Sequence, residues 1–264
     1  MNISFAIPTK NRAETLKRSM ANYLLHMDRS MRLHIVDNGS TDKTWNYLNY
    51  FHDNSTQVEV IRQPQGTHVK TGFLRALTEA AQTGDYVILM SDEDEIDWNV
   101  LPEFTAWLET EKPSFASTQF THSEGFHRGR HGGTIDPSDW FASAFYCSGL
   151  VYRSEHLLKA AGTIWPRLAE NHFLKIYAEA GLTLAMFAEN EPMLWAPHHL
   201  TKQREQLDTH IVMDDGSRYW NPQNRALLAE HYDHLLGYLT GKESETSPTW
   251  QAAKKDKLIN TWRK

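Results

Sequence analysis

Along the first hundred residues the hydrophobic positions switch between two periods. Short apolar runs at 3–7, 33–36, 58–62 and 86–90 read as strands. The stretches between them carry apolar residues three and four apart, as helices do. Leu16, Met20, Tyr23, Leu24 and Met27 thus share one face of a helix predicted over 13–27. Helices are also predicted over 41–51, capped by Ser40 or Thr41, and over 71–82. Strands alternating with helices of this length imply βαβ units and a parallel sheet with right-handed crossovers.

The second half follows a looser pattern. Residues 101–111 form an amphipathic helix carrying Phe104, Trp107 and Leu108, and 115–120 a strand. A loop over 122–133 holds His127, Arg128, Arg130 and four glycines and reads as solvated. Helices follow from Ser154, from the segment 166–174 to Gly181, and over 224–239, with a strand ending near Trp195 and a polar linker over 241–248. The fold expected is α/β, a Rossmann-like open, mostly parallel sheet flanked by helices, with a helical C-terminal tail.

Composition narrows the function classes. The net charge of −6 argues against a general nucleic-acid binder, which would be basic. The single cysteine, Cys147, excludes an internal disulfide and fits a reducing compartment. No apolar run reaches the length of a membrane span, and the first residues lack the basic region and long apolar segment of a signal peptide. The expected location is therefore cytoplasmic. The tail 250–264 is lysine-rich, with Trp250, Leu258, Ile259 and Trp262, which is the composition of an interfacial helix on anionic lipid, with a packing helix or frayed tail as the alternative.

In an open α/β sheet, ligands bind beyond the carboxyl ends of the strands. Four loops qualify: Pro8-Thr9-Lys10-Asn11-Arg12, Asp37-Asn38-Gly39-Ser40, the segment 66–70, and Ser91-Asp92-Glu93-Asp94. Carboxylates clustered where a buried strand leaves the sheet are costly to bury unpaired. Asp92 and Asp94, two apart, suit one hard cation with oxygen ligands, magnesium or manganese, which in turn would hold a diphosphate. There is no G-x-x-x-x-G-K-[ST] loop and no G-x-G-x-x-G, so neither a P-loop nor a classical dinucleotide site is indicated.

Three ordered motifs carry a resemblance. Ile-Pro-Thr-Lys-Asn-Arg, then Val-Asp-Asn-Gly-Ser-Thr-Asp, then Gly-Asp-Tyr-Val-Ile-Leu-Met-Ser-Asp-Glu-Asp resemble family-two glycosyltransferases of the GT-A fold, nucleotide-sugar-dependent enzymes of which many build bacterial surface polysaccharides. The match covers about residues 2–97. It implies a nucleotide-sugar-binding half over 1–100, an acceptor-binding half of the same domain over 101–222, and C-terminal helices and tail over 223–264.

The resemblance also implies roles. Thr9, beside Pro8 and Asn11, would meet base and ribose, and Arg12 the base or diphosphate. Asp37 would accept from the N3–H of a uracil or thymine ring, although a capping aspartate is its bland alternative. Asp92 would face the ribose or the metal, and Asp94 would ligate the metal. Arg75 and, more weakly, Lys70 would approach the nucleotide. Ser148 and Gly149 would lie beneath the donor sugar. Apart from the resemblance, Trp140, Phe141 and Trp165 are aromatics of the kind that stack on sugar faces and would line an acceptor groove, with core packing as the alternative. His198 would add a third metal ligand, with His199, Lys202 and Arg204 nearby.

The family places a Glu-Asp pair before a later helix, the aspartate serving as catalytic base; here the pair reads Glu170-Asn171. An amide takes no proton, so Glu170 becomes the expected base, with His172 behind it. The implied reaction is metal-dependent transfer from a nucleoside diphosphate sugar, UDP by default, to a saccharide or lipid-linked saccharide, with inversion. Two rivals remain. A sugar-nucleotide pyrophosphorylase would need a glycine-rich first loop that 8–12 lacks. A catalytically silent nucleotide-sugar-binding module is conceivable because of Asn171.

Overall fold

The computed structural model describes residues 1–121, 127–129, 132–189, 191–202, 221–241 and 248–263. Its first half runs β1 (Ile3–Thr9), α1 (Ala13–His26), β2 (Met31–Asp37), α2 (Thr44–Asn54), β3 (Val58–Arg62), α3 (Val69–Ala80) and β4 (Tyr86–Leu89). These four strands are the predicted ones, and β3, β2, β1 and β4 lie side by side and parallel. Then come β5 (Glu95–Ile96), α4 (Leu101–Glu111), β6 (Phe115–Ser117), β7 (Phe120–Thr121), β8 (His127–Arg128), β9 (Gly133–Thr134), α5 (Trp140–Ala144), β10 (Leu150–Arg153), α6 (Ser154–Ile164), α7 (His172–Ala188), β11 (Met193–Trp195) and β12 (Thr201–Lys202). The chain closes with α8 (Pro222–Thr240), α9 (Pro248–Lys254) and α10 (Lys257–Trp262).

One eight-stranded sheet, ordered β3-β2-β1-β4-β10-β6-β11-β9, organises the molecule. Antiparallel β10 joins the parallel half to β6. The period-two pattern decides which side chains meet which helices. Ile3, Phe5, Ile7, Leu33, Ile35 and Ile88 face α1, α2 and α4 in one core, whereas Ala6, Val36, Val87 and Leu89 belong to the other core with α3, α6 and α7.

Register then places the site. Ala6 pairs with Leu89, so three residues further on Thr9 comes level with Asp92, while on its other side Thr9 pairs with Asp37.

Several elements differ from expectation. Helix α2 starts at Thr44, because Ser40 and Thr41 bind elsewhere: Ser40 Oγ donates to Asp37 Oδ1, and the Thr41 N–H donates to Asn11 Oδ1 at 2.8 Å. Asp42 Oδ1 accepts from the Thr44 N–H at 2.9 Å instead. The predicted strand 115–120 divides into β6 and β7, since the Gln119 N–H turns to the His198 carbonyl. Helix α7 continues past Gly181 to Ala188, with Gly181 seated closely against Leu174, and bends at Tyr177 (φ −128°, ψ 52°).

The tail takes the packing alternative. Ala253, Ile259 and Trp262 are buried in the larger core rather than offered to lipid. Asp256 accepts from the Ile259 N–H (3.1 Å) and the Phe141 N–H (3.1 Å), tying α10 to α5. Among the described residues no helix is long and apolar enough to cross a membrane.

Candidate functional site

Four strand ends converge at the carboxyl edge of the parallel sheet. Thr9 Oγ1 donates to Asp92 Oδ2 at 2.5 Å. Arg12, at the N-terminus of α1, sets Nη2 2.9 Å from Glu93 Oε1 and Nε 3.9 Å from Asp92 Oδ1. All three acidic side chains are buried, Asp94 to 1% exposure. Burial, with repulsion from Glu93 and Asp94, outweighs Thr9 and Arg12 and pushes the Asp92 carboxyl up to about 6. Burial likewise raises Glu93. Three carboxylates thus gather where β4 leaves the sheet, two of them beside Arg12.

Asp94 is held from beneath. Ser148 Oγ donates to Asp94 Oδ2 at 2.5 Å and Tyr146 OH to the same oxygen at 3.0 Å. Ser148 Oγ also accepts from the Ser91 N–H at 2.9 Å, which joins both ends of the acidic run. Gly149 follows with φ +79°; a Cβ there would overlap Thr118 Oγ1, so glycine is required for close packing of protein on protein. Expected under the donor sugar, Ser148 and Gly149 instead lie in the interior, bracing the acidic loop.

The second loop is equally ordered. Asp37 is fully buried, and its Oδ1 accepts from the Ser40 N–H at 3.0 Å and from Ser40 Oγ. Among the described residues Asp37 Oδ2 has no hydrogen-bond partner, and it lies 3.5 Å from Arg62 Nε. The Arg62 guanidinium in turn covers the Trp45 ring at 5.1 Å. Asn11, in the left-handed region at φ 54°, staples the first loop to the second through the Thr41 N–H and Ser40 Oγ. Pro8 is buried in β1 opposite Val36. Neither Arg62 nor Trp45 lies in a sequence motif; Arg62 is marked only by its place at the end of β3, and Trp45 sits in the first turn of α2.

Other expectations are corrected. Lys70 Nζ is committed to Glu179, at 2.9 and 2.7 Å from its two oxygens, in a buried pair between α3 and α7. Arg75 is a half-exposed helical arginine paired with Glu79 at 2.6 Å. Trp140 is wholly buried, stacked on Tyr232, with Nε1 donating to Tyr232 OH at 3.0 Å, so it lines no groove. His198 packs edge-on against Phe104 and Trp107 of α4, and burial lowers its pKa. Among the described residues no three His, Cys, Asp or Glu side chains gather as a metal site, so His198 does not complete one. Lys202 pairs with Asp97 at 2.7 Å, His199 is exposed, and Arg204 and the acidic cluster 214–215 lie outside the described residues.

Arg128 reverses its expectation. Read as part of a solvated loop, it is 3% exposed and donates to the carbonyls of Thr118 (3.2 Å), Tyr146 and Ser148 (2.5 Å). Burial lowers it to about 10, which leaves it charged at neutral pH.

Before α7, Glu170 is exposed, whereas Asn171 is 8% exposed and uses both ends of its amide. Oδ1 accepts from the Leu174 N–H at 3.0 Å as the helix N-cap, and Nδ2 donates to the His231 carbonyl at 3.0 Å.

The structure resembles S. aureus TarS 1-349 in complex with UDP-GlcNAc, with a TM-score of 0.62 at 15% identity over 94% of this chain and 74% of that one. It also resembles the mannosyltransferase PcManGT from Pyrobaculum calidifontis in complex with GDP-Man and Mn2+ (TM-score 0.59, 15% identity, 99% of this chain and 71% of that one). GalNAc-T7 with UDP, GalNAc and Mn2+ matches at a TM-score of 0.62 and 14% identity, over 98% of this chain and 55% of that one. No curated protein matches the sequence. The sequence profile described as glycosyl transferase family 2 matches residues 4–157, more than half of the chain. The chain therefore belongs to glycosyl transferase family 2 and is a glycosyltransferase of the GT-A fold.

Proposed function

We propose that this chain transfers a sugar from a nucleoside diphosphate donor, UDP by default, to a saccharide or lipid-linked saccharide acceptor, with a divalent cation and with inversion, in the assembly of a surface polysaccharide. The observation that carries the reading is the buried run Asp92-Glu93-Asp94 at the end of β4, met by Thr9 and Arg12 from the end of β1. Magnesium and manganese sites of this kind need one or two carboxylates, the rest being water and substrate phosphate. Asp92 and Asp94 fit that donor set without a histidine. A cation bound there supplies neutralisation of the charge developing on the leaving diphosphate.

The remaining work falls to side chains. Asp37 Oδ2, an acceptor without a hydrogen-bond partner among the described residues, suits a base N–H. Arg12 steadies the acidic loop and adds positive charge beside the diphosphate. Glu170, exposed, takes the proton from the acceptor hydroxyl as that oxygen attacks opposite the diphosphate. Asn171 does no proton chemistry, being fully used as a cap.

The test is a thermal-shift screen of UDP, GDP, CDP and dTDP with and without manganese, followed by turnover of the matching nucleotide sugars. Ligand at a hundred times its dissociation constant adds about 2.7 kcal/mol, a rise of several degrees. Asp94→Ala should abolish both the manganese-dependent shift and turnover, and Glu170→Gln should abolish turnover alone. Full turnover in Glu170→Gln moves the base elsewhere. Binding without any turnover in the unaltered chain makes it a silent module, and no shift with any pairing overturns the reading.

A further inference from the structure

Asp94 does not sit loosely at the site. Its Oδ2 takes two hydroxyl hydrogen bonds, from Ser148 at 2.5 Å and Tyr146 at 3.0 Å, which together fix the rotation of the carboxylate. Both hydroxyls come from one short segment that is neither helix nor strand, between α5 and β10. Such a segment needs something to hold it, because three loop residues lack a ladder or a helix to set their backbone.

What holds it is Arg128. The guanidinium reaches the carbonyls of Tyr146 and Ser148, the two residues whose side chains bind Asp94, and the carbonyl of Thr118 at the end of β6. The Arg128 guanidinium also lies 5.6 Å from the centre of the Phe120 ring, which stacks on Tyr146 at 4.2 Å with 18° between planes. Arginine presents its N–H groups in a rigid fork, and three carbonyls in fixed directions are a target that a lysine ammonium cannot match. Among the described residues the guanidinium's hydrogen-bond acceptors are these carbonyls, and the Asp94 carboxylate adds electrostatic attraction to the buried charge.

We propose that Arg128 is a positioning residue: by clamping the backbone of residues 146–148 it fixes Tyr146 and Ser148, and through them sets the Asp94 carboxylate for the divalent cation. This rests on the reading of Asp94 as a cation ligand.

The test titrates manganese into the full chain by calorimetry, in the presence of whichever of UDP, GDP, CDP and dTDP binds best, and titrates that nucleotide alone. Arg128→Lys should weaken manganese by about tenfold, the low end of what losing an outer partner of a metal ligand costs. Affinity for the nucleotide alone should stay within about twofold, because the clamp does not touch the nucleotide loops. Tyr146→Phe should weaken manganese as well, and the double variant should lose less than the product of the two single effects, as expected for residues acting through one segment. Unchanged manganese affinity in Arg128→Lys, multiplicative losses, or equal weakening of manganese and nucleotide would each overturn the clamp. If Arg128→Lys melts too early to titrate, Arg128→Gln is judged by the same criteria. Failure of the unaltered chain to bind manganese with any nucleotide removes the cation site itself; normal binding by the chain and all variants removes only the clamp.

Discussion

Thr9 Oγ1 donates to Asp92 Oδ2 at 2.5 Å, although 83 residues separate them. The bond exists because β1 and β4 are parallel neighbours whose register brings both residues to the same level beyond the sheet. Thr9→Val keeps the shape of the side chain and removes the donor, leaving a buried carboxylate short of a partner. The expected cost is about 1–3 kcal/mol, read by urea denaturation at pH 7, with Asp92 titrating still higher. Thr9→Ser should recover most of it.

Asn171 gives a second expectation, because restoring the family's aspartate should not restore a base. Asn171→Asp keeps the acceptor for the Leu174 N–H but sets an oxygen against the His231 carbonyl, where Nδ2 donates now. Losing that donor costs about 1–3 kcal/mol, more than the ~0.3–1 kcal/mol that a carboxylate gains at a helix N-terminus. The variant should melt lower and turn over no faster.

The Lys70–Glu179 pair is buried on both sides. Removing one partner strands a charge, so Lys70→Met should cost about 3–5 kcal/mol. Lys70→Met with Glu179→Leu should return close to the starting stability, since apolar groups of similar volume replace such pairs at little cost. Chemical denaturation of the three variants checks this. A double variant as unstable as Lys70→Met would mean that the pair does more than balance charge.

Acid sensitivity should come partly from His34, whose Nε2 is 2.7 Å from Thr83 Oγ1. Burial, aided by Arg32, lowers it to about 4. The unfolded chain takes up its proton first, near 6.5, so His34 lends stability above that pH and loses it as the pH falls toward 4. The loss at full extent is on the order of 3 kcal/mol, from 1.36 kcal/mol per unit. Asp92 acts with the opposite sign, because a carboxyl raised to about 6 holds a proton that the unfolded chain lacks between about 4 and 6. Denaturation of Asp92→Asn between pH 7 and 4 should therefore show a steeper acid loss than the unaltered chain, and adding His34→Gln should flatten it.

Local sequence determined the parallel half of the sheet. The four runs at 3–7, 33–36, 58–62 and 86–90 each lie within one or two residues of a strand; β1 and β4 are buried along their length, as parallel strands inside a sheet are, whereas the edge strand β3 is buried only at Val58. The loops that follow those strands were legible as well, because a strand's carboxyl end is fixed once the strand is. Tertiary structure decided which charges are free. Lys70 and Arg75 are both cations on α3, yet one meets Glu179 from α7, 109 residues away, and the other only its own helix. Trp140 and Trp262 had compositions suited to sugar or lipid, and packing against Tyr232 and Phe141 took them into the core. Arg128 is the sharpest case: three carbonyls from β6 and the 146–148 segment enclose it. A periodic pattern records which face of an element avoids water, but a partner for a polar group is chosen by whichever chain segment arrives opposite it.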